Sequence, residues 1–362
     1  MPISSTKRAW IVIAGLLLLI VAGLGVFYYS QRRPLPPLPG ANHAGPPSDI
    51  LSQLPPDAPV VAYLDAAALR KLRNSPLAAV LGLTSPGPEA DREYAAFVRD
   101  TGFDYTRDLD HAAMAAWPVS LGTPADVLGE DRVLAIADGR FDQEKIKAYA
   151  LRTGKLAALG TRSIYEVPGN PPVSLEFLSP TRIVLADGKG AGDLLGPVDS
   201  ATPSALDSEM QSRIQRVAGA PIFAVARTDK LPPSFYANFR NSPQLEHLVR
   251  SVRAMTLAGQ PDGDNVKMAL DAECDSMKNA IEISALLDTF RMVGSMAISD
   301  AKMRREMTRE QAVFLSALIN QLKVTHQDKW VRLSLDITPA MLGAPRSRST
   351  AAAPAPAAHA AH

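Results

Sequence analysis

Cysteine is nearly absent from this sequence of 362 residues, because Cys274 is the only one. A single cysteine excludes an intramolecular disulfide and any cysteine-based zinc or iron–sulfur site with the usual number of ligands. An excess of charge of one sign is lacking too, since 38 lysines and arginines balance 37 aspartates and glutamates. Without a global basic field the chain is not expected to bind nucleic acid.

Catalytic motifs are also lacking. The sequence contains neither a GxSxG nucleophile turn nor an HExxH zinc motif. Cys274 stands at a strand-to-helix turn, where a helix N-terminus could lower its pKa, but no histidine lies near it in the sequence. We interpret it as an inert thiol, and the sequence predicts no catalytic residue, no cofactor and no metal ligand.

One long hydrophobic run is present, the uncharged segment WIVIAGLLLLIVAGLGVFYY from Trp10 to Tyr29. At about 1.5 Å per residue such a helix spans a hydrocarbon core of roughly 30 Å. The run therefore predicts a transmembrane helix at 10–29, with the lipid bilayer as its partner. A cleaved signal peptide is the alternative, but the run is longer than the usual apolar region of about 7 to 15 residues.

The charges that flank this run nearly balance, since Lys7 and Arg8 oppose Arg32 and Arg33. We expect residues 1–9 to form a short cytoplasmic N-terminus, because one anchor followed by a proline-rich stalk suits an envelope protein. The soluble region would then be extracytoplasmic, in the periplasm, on a single-pass protein of a bacterial cell membrane.

Composition divides the rest of the chain. Residues 30–57 are rich in proline and predict an extended linker, and residues 344–362 are rich in alanine and proline and predict a disordered tail. Between them we expect two similar units, 58–200 and 201–343.

A faint internal duplication supports this division. The paired segments are APVVAYLD (58–65) and APIFAVAR (220–227), VLAIADGRFDQEKIKAYA (133–150) and VKMALDAECDSMKNAIEI (266–283), and RIVLAD (182–187) and RLSLDI (332–337). Each is a short apolar strand, and the second pair continues into an amphipathic helix. Chance similarity of short strand–helix patterns is the alternative.

Mixed strands and helices without regular βαβ alternation predict the α+β class. We expect a transmembrane helix followed by two α+β units, each with an antiparallel-dominated sheet and helices on one face. Asp142 and Asp275 are placed to cap the helix that follows each of them.

The segment DTGFDYTRDLDH (100–111) gathers possible metal or acid–base residues, namely Asp104, Asp108, Asp110 and His111. Their spacing is not that of an EF-hand, and Arg107 lies among them. We interpret them as turn carboxylates. A hydrolase or metal-dependent enzyme around Asp104, Asp108 or His111 is the alternative.

The segment from Met292 to Met307 is rich in methionine. At helical spacing such residues more often fill a core, but they can also form an adaptable binding surface. The second possibility is the best indication of a partner that the sequence offers.

Two segments that follow the membrane segment and stalk resemble sequences of uncharacterised bacterial envelope proteins. They are LPPDAPVVAYLD and GFDYTRDLD. The resemblance implies a duplicated α+β ectodomain on one N-terminal anchor and assigns no catalytic residue. The sequence thus favours a membrane-tethered, non-catalytic module that binds a protein or envelope component. A lipid or small-molecule carrier, with an apolar pocket between the two units, is a further alternative.

Overall fold

The computed structural model describes most of the chain between residues 48 and 341. The described residues are 48–71, 92–117, 132–159, 162–167, 172–187, 195, 206–231, 236, 243–263, 265–299, 316–338 and 341. The predicted transmembrane helix at 10–29 and the tail at 344–362 lie outside this part. Within it, no helix combines the length and apolar character needed to cross a bilayer.

Twelve strands form one antiparallel sheet. They are β1 (Val60–Asp65), β2 (Leu109–Trp117), β3 (Arg132–Gly139), β4 (Lys155–Leu159), β5 (Arg162–Val167), β6 (Val173–Ser179), β7 (Arg182–Asp187), β8 (Ile222–Arg227), β9 (Val252–Asp262), β10 (Asn265–Cys274), β11 (Lys323–Gln327) and β12 (Trp330–Ile337). Their order across the sheet is β11-β12-β10-β9-β8-β1-β2-β3-β7-β6-β5-β4. The α+β class with antiparallel strands is confirmed.

The two predicted units share this sheet, because β1 pairs with β8 at its centre. The prediction of one sheet per unit is therefore wrong. Residues 60–64 of β1 are all apolar. Because successive side chains of a strand point to opposite faces, Val61 and Tyr63 lie on one face of the sheet and Ala62 and Leu64 lie on the other. A strand that is apolar on both faces must be covered on both faces.

Eight α-helices supply that cover within the described residues. They are α1 (Ser48–Ser52), α2 (Ala66–Lys71), α3 (Arg92–Thr101), α4 (Tyr105–Asp108), α5 (Gln143–Thr153), α6 (Ser208–Gln215), α7 (Pro243–Arg250) and α8 (Met277–Ser299). Residues 316–321 are also helical.

The largest core lies on one face of the sheet, where α1 and α6 cover the central strands. Tyr63 and Phe223 stack there with ring centroids 5.3 Å apart, and Ile50 of α1 and Met210 of α6 belong to the same buried cluster. On the opposite face, α5 covers the first half of the sheet and α8 covers the second. Helices thus cover both faces, rather than one face as predicted.

The predicted linker at 30–57 is folded from Ser48 onward. Helix α1 and the turn after it bury Ile50, Leu51 and Leu54 in the central core. The prolines around this segment suggested an extended linker, but Pro47 is compatible with the start of a helix and Pro55 with its end.

The two predicted helix caps had different outcomes. Asp142 caps α5 as predicted, because its carboxylate accepts a hydrogen bond from the Lys145 backbone at 3.2 Å. Asp275 does not cap α8, because the helix begins one residue later and the hydroxyl of Ser276 accepts the Asn279 N–H at 3.2 Å. Strand β4, which was not predicted, follows α5 directly and forms one end of the sheet.

Candidate functional site

The carboxylates predicted as possible ligands close a tight turn. Asp104 caps the short helix α4, accepting hydrogen bonds from the backbone and hydroxyl of Thr106 at 2.9 and 2.7 Å. Asp108 folds back to accept the Asp104 N–H at 3.0 Å and a guanidinium hydrogen of Arg107 at 2.6 Å. Both carboxylates therefore have structural partners within the turn.

Asp108 is nearly buried and stays ionised. Burial alone would raise its pKa, but hydrogen bonds from Arg107 and from the Asp104 backbone, with the charge of Arg140 nearby, hold the pKa below its usual range. Asp108 is therefore a poor general acid or base at neutral pH.

The other two residues of the segment face different partners. Asp110 binds Arg70 at 2.7 Å. The Nδ1 atom of His111 lies 3.1 Å from the hydroxyl of Tyr63 and 3.7 Å from a carboxylate oxygen of Asp65. The structure thus gives Asp104, Asp108, Asp110 and His111 separate partners and does not gather them around one centre.

Replacing Asp108 with alanine is expected to lower the free energy of unfolding by about 1 to 3 kcal/mol, because it removes the acceptor of the partly buried Asp104 N–H and of the Arg107 guanidinium. Chemical denaturation of the detergent-solubilised full chain measures this. Asp110→Ala is the matched control, because its carboxylate is 37% exposed and its partner Arg70 keeps a hydrogen bond to the Leu109 carbonyl, which predicts a loss below about 1 kcal/mol. A stable Asp108→Ala variant that loses a hydrolytic activity would instead support the enzyme alternative.

A cavity of about 990 Å³ lies in the first half of the sheet. It forms where β5 and β6 part, since these strands pair only from Tyr165 to Val167 with Val173 to Leu175. Charged side chains dominate its lining, namely Asp110, Asp138, Arg140, Lys147, Arg162, Glu176 and Arg182. Sequence reasoning missed this cavity, because its residues come from five strands, two helices and the loops between them.

The buried charges of the cavity are arranged in pairs. Arg182 binds Asp138 at 2.6 Å and Asp49 of α1 at 2.7 Å, and Arg162 binds Glu176 at 3.1 Å. Pairing of this kind stabilises the split in the sheet and leaves a polar, nearly neutral lining. The cavity differs from the apolar pocket between units that the carrier alternative requires, and Tyr63 and Phe223 fill one face of the β1–β8 joint.

Exposed apolar side chains are concentrated on helix α8. We define the α8 stripe as Met277, Ile281, Met292, Val293 and Met296, which are exposed by 59, 44, 54, 55 and 66%. Six of the nine large hydrophobic residues that are exposed in the described part of the chain lie on α8, with Phe290 as the sixth. The exposed apolar surface is thus concentrated on one element.

The opposite side of α8 is the side that packs. Ala280 and Ser284 are buried against the sheet, and a hydroxyl of Ser284 meets Nδ1 of His326 at 3.2 Å. A Cβ at Gly294 would approach Ile319 at 3.1 Å, so the helical segment 316–321 also packs closely here. Met292 and Met296 therefore do not fill the core, and the interpretation of them as core residues is wrong.

Two further features of the second half are structural. Asp271 is fully buried, pairs with Arg332 through two hydrogen bonds at 2.6 and 2.9 Å, and meets Arg216 at 3.1 Å. Cys274 is fully buried at the end of β10, and burial, with the charges of Asp275 and Glu273, raises its pKa to about 12. A thiol in this state is unreactive at neutral pH.

No protein-family model and no curated protein matches the chain. Three solved structures, crystal forms III, I and IV of TP0453, are similar to it with TM-scores of 0.44, 0.41 and 0.43. Their sequence identities to this chain are 11, 11 and 12%, and each alignment covers 81% of this chain and 94 to 96% of the other. The chain thus has distant structural neighbours, and these comparisons assign it no activity.

Proposed function

We propose that this protein is a membrane-tethered, non-catalytic ectodomain that binds a protein or envelope component through the α8 stripe. The concentration of exposed apolar side chains on α8 is the observation that carries the proposal. Clustered exposed apolar residues mark interaction sites in soluble domains, whereas scattered ones do not, and helical spacing brings Met292, Val293 and Met296 together.

The tether in this proposal is the apolar segment 10–29. Its length fits a bilayer, and one anchor followed by a proline-rich stalk suits an envelope protein with a short cytoplasmic N-terminus. The domain described above would then stand in the periplasm, on a single-pass protein of a bacterial cell membrane.

We also propose that the domain arose by duplication, and the pairing of β1 with β8 supports this. Ala62 and Ala224 occupy the same place in the two aligned segments, and they pair with each other at the centre of the ladder. The flanking hydrogen bonds are equivalent as well, since the Asp65 N–H donates to the Pro221 carbonyl and the Arg227 N–H donates to the Pro59 carbonyl, both at 2.7 Å. A local twofold axis through the two alanines relates these contacts.

The strands on either side of this axis support the same idea. The order β1-β2-β3-β7-β6 on one side has its counterpart in β8-β9-β10-β12-β11 on the other. A register shift inserts Asp110 into β2 and Arg253 into β9, each opposite the end of the next strand. Such bulges persist within families, so a bulge at the same place in both halves supports a common origin.

The absence of catalysis in this proposal is supported by the partners of the candidate residues. Asp104 and Asp108 close the α4 turn, and His111 binds Tyr63. A general base must instead be free to reach a substrate proton.

Photocrosslinking from the α8 stripe tests the proposal. A photoreactive amino acid in place of Met296 is expected to form adducts in the membranes of the bacterium that encodes the chain, because this side chain would contact the bound component. Mass spectrometry identifies the adducts. The same amino acid in place of Leu151 is the control, since Leu151 is 50% exposed on helix α5.

Deleting residues 10–29 should abolish the adducts at position 296 if the tether brings the stripe to its partner. Equal adduct yields at positions 296 and 151 would contradict the proposal, because they would show that the stripe meets only solvent and chance neighbours.

A further inference from the structure

We propose that the component bound by the α8 stripe is the lipid surface of the membrane that holds the anchor. This inference rests on the proposed function and names the partner of the same surface. In this arrangement helix α8 lies along the membrane–water boundary, with Met277, Ile281, Met292 and Met296 among the lipid headgroups and upper acyl chains.

The shape of the stripe favours a lipid surface. It runs along one straight helix of 23 residues, about 35 Å long, and it is convex rather than grooved. At a width of about 10 Å its area is on the order of 350 Å², well below the roughly 800 Å² that each partner of a stable protein complex buries. A second copy of this chain therefore gains too little contact from the stripe alone.

The composition of the stripe points the same way. Three of its five members are methionines, whose flexible side chains fit a disordered surface better than they specify one partner pocket. Lys278 lies five helical turns before Met296 on the same outward line and pairs with Glu282 at 3.8 Å, so the more apolar end of α8 is the end that holds Met292, Val293 and Met296.

The tether makes a weak lipid contact effective. The sequence between the end of the apolar segment and α1, residues 30–47, is about 18 residues long and can reach at most about 65 Å. Helix α1 lies on the face of the sheet opposite α8, which adds two packing layers of roughly 10 Å each. The reach exceeds that distance, so α8 can meet the bilayer at a millimolar effective concentration.

An environment-sensitive fluorophore on the stripe tests this inference. The full chain carrying Met292→Cys is labelled with nitrobenzoxadiazole and reconstituted in phosphatidylcholine vesicles. Cys274 is buried and its pKa is raised to about 12, so the label goes to the introduced thiol. Leu151→Cys on α5 is the matched control, as an exposed apolar residue of the corresponding helix in the other half.

The label at position 292 is expected to emit at shorter wavelength and to be quenched by aqueous dithionite about tenfold more slowly than the label at position 151, because it lies below the headgroups. Met296→Asp in the Met292→Cys chain should restore fast quenching. A label at position 292 that is quenched as fast as the one at position 151, in a chain that floats with the vesicles, overturns the lipid assignment.

A different result would contradict the proposed function itself. A chain that does not float with the vesicles lacks the tether, which contradicts the proposed function itself. Fast quenching in pure lipid, followed by protection in native membranes, overturns the lipid assignment and leaves a protein partner for the same stripe.

Discussion

Replacing Asp271 with alanine is expected to lower the free energy of unfolding by about 3 to 5 kcal/mol, because it leaves the charge of Arg332 buried without a partner. Asp271 is completely inaccessible to water, and the side chain of Arg332 is exposed by only 4%. Arg216 is held by the same carboxylate and lies over the ring of Trp330 at 3.7 Å. Chemical denaturation of the detergent-solubilised full chain, followed by circular dichroism, measures the loss.

Two variants define what this result means. Asp262→Ala removes an ion pair with Lys267 whose partners are both more than half exposed, and it should cost less than about 1 kcal/mol. The double variant Asp271→Leu with Arg332→Met should lose less than Asp271→Ala alone, since it leaves only the half-buried Arg216 unpaired. Equal losses for Asp271→Ala and Asp262→Ala would contradict the expectation, because they would show that the buried pair contributes no more to stability than an exposed pair.

Replacing Phe223 with alanine is expected to destabilise the protein by about 3 to 5 kcal/mol, because it opens a cavity in the central core. Phe223 is 1% exposed, and it faces Tyr63 across the β1–β8 joint. Because this joint connects the two halves of the sheet, the loss of stability should be the same whether it is measured in the first half or in the second. Trp117 reports on the first half and Trp330 on the second when each is kept as the single tryptophan of the folded region.

Phe290→Ala is the control for this experiment, since Phe290 is 41% exposed on α8 and its removal should change stability little. A shift in the unfolding transition reported by one tryptophan but not by the other would contradict the expectation, because it would show that the two halves unfold independently.

Much of the local structure could be predicted from the sequence. Strands β1 and β8 combine β-branched and aromatic residues with nearby prolines, and Asp142 stands where a cap is needed. Gly154 marks the end of helix α5, but strand β4, with the sequence KLAAL, has no β-branched residue, so nothing in the sequence indicated a strand there. The cap of α8 was missed for a similar reason, because Asp275 and Ser276 are both good caps and only the backbone decides between them.

The joining of the two units could not be predicted. Residues 60–65 pair with residues 222–227, and no local pattern reports a pairing over such a distance. The same limit applies to the cavity, whose pairs Asp138 with Arg182 and Arg162 with Glu176 depend on register and on the parting of β5 from β6.

The methionines of α8 show a different limit. Helical spacing predicts a helix with an apolar side, but α8 is apolar over much of its circumference. Which side packs on the sheet is decided by small residues such as Ala280, Ser284 and Gly294, which allow close approach. The larger methionines are left outside, and that distribution is visible only in the fold.

The central place of β1 has a consequence for biosynthesis. Its first neighbour, β2, is complete at Trp117, but its second neighbour, β8, ends at Arg227. At about 5 to 20 residues per second, ribosomes need several seconds to make the sequence between them. During that interval the edge of β1 that later meets β8 has no partner strand, and its amide and carbonyl groups can pair with other chains.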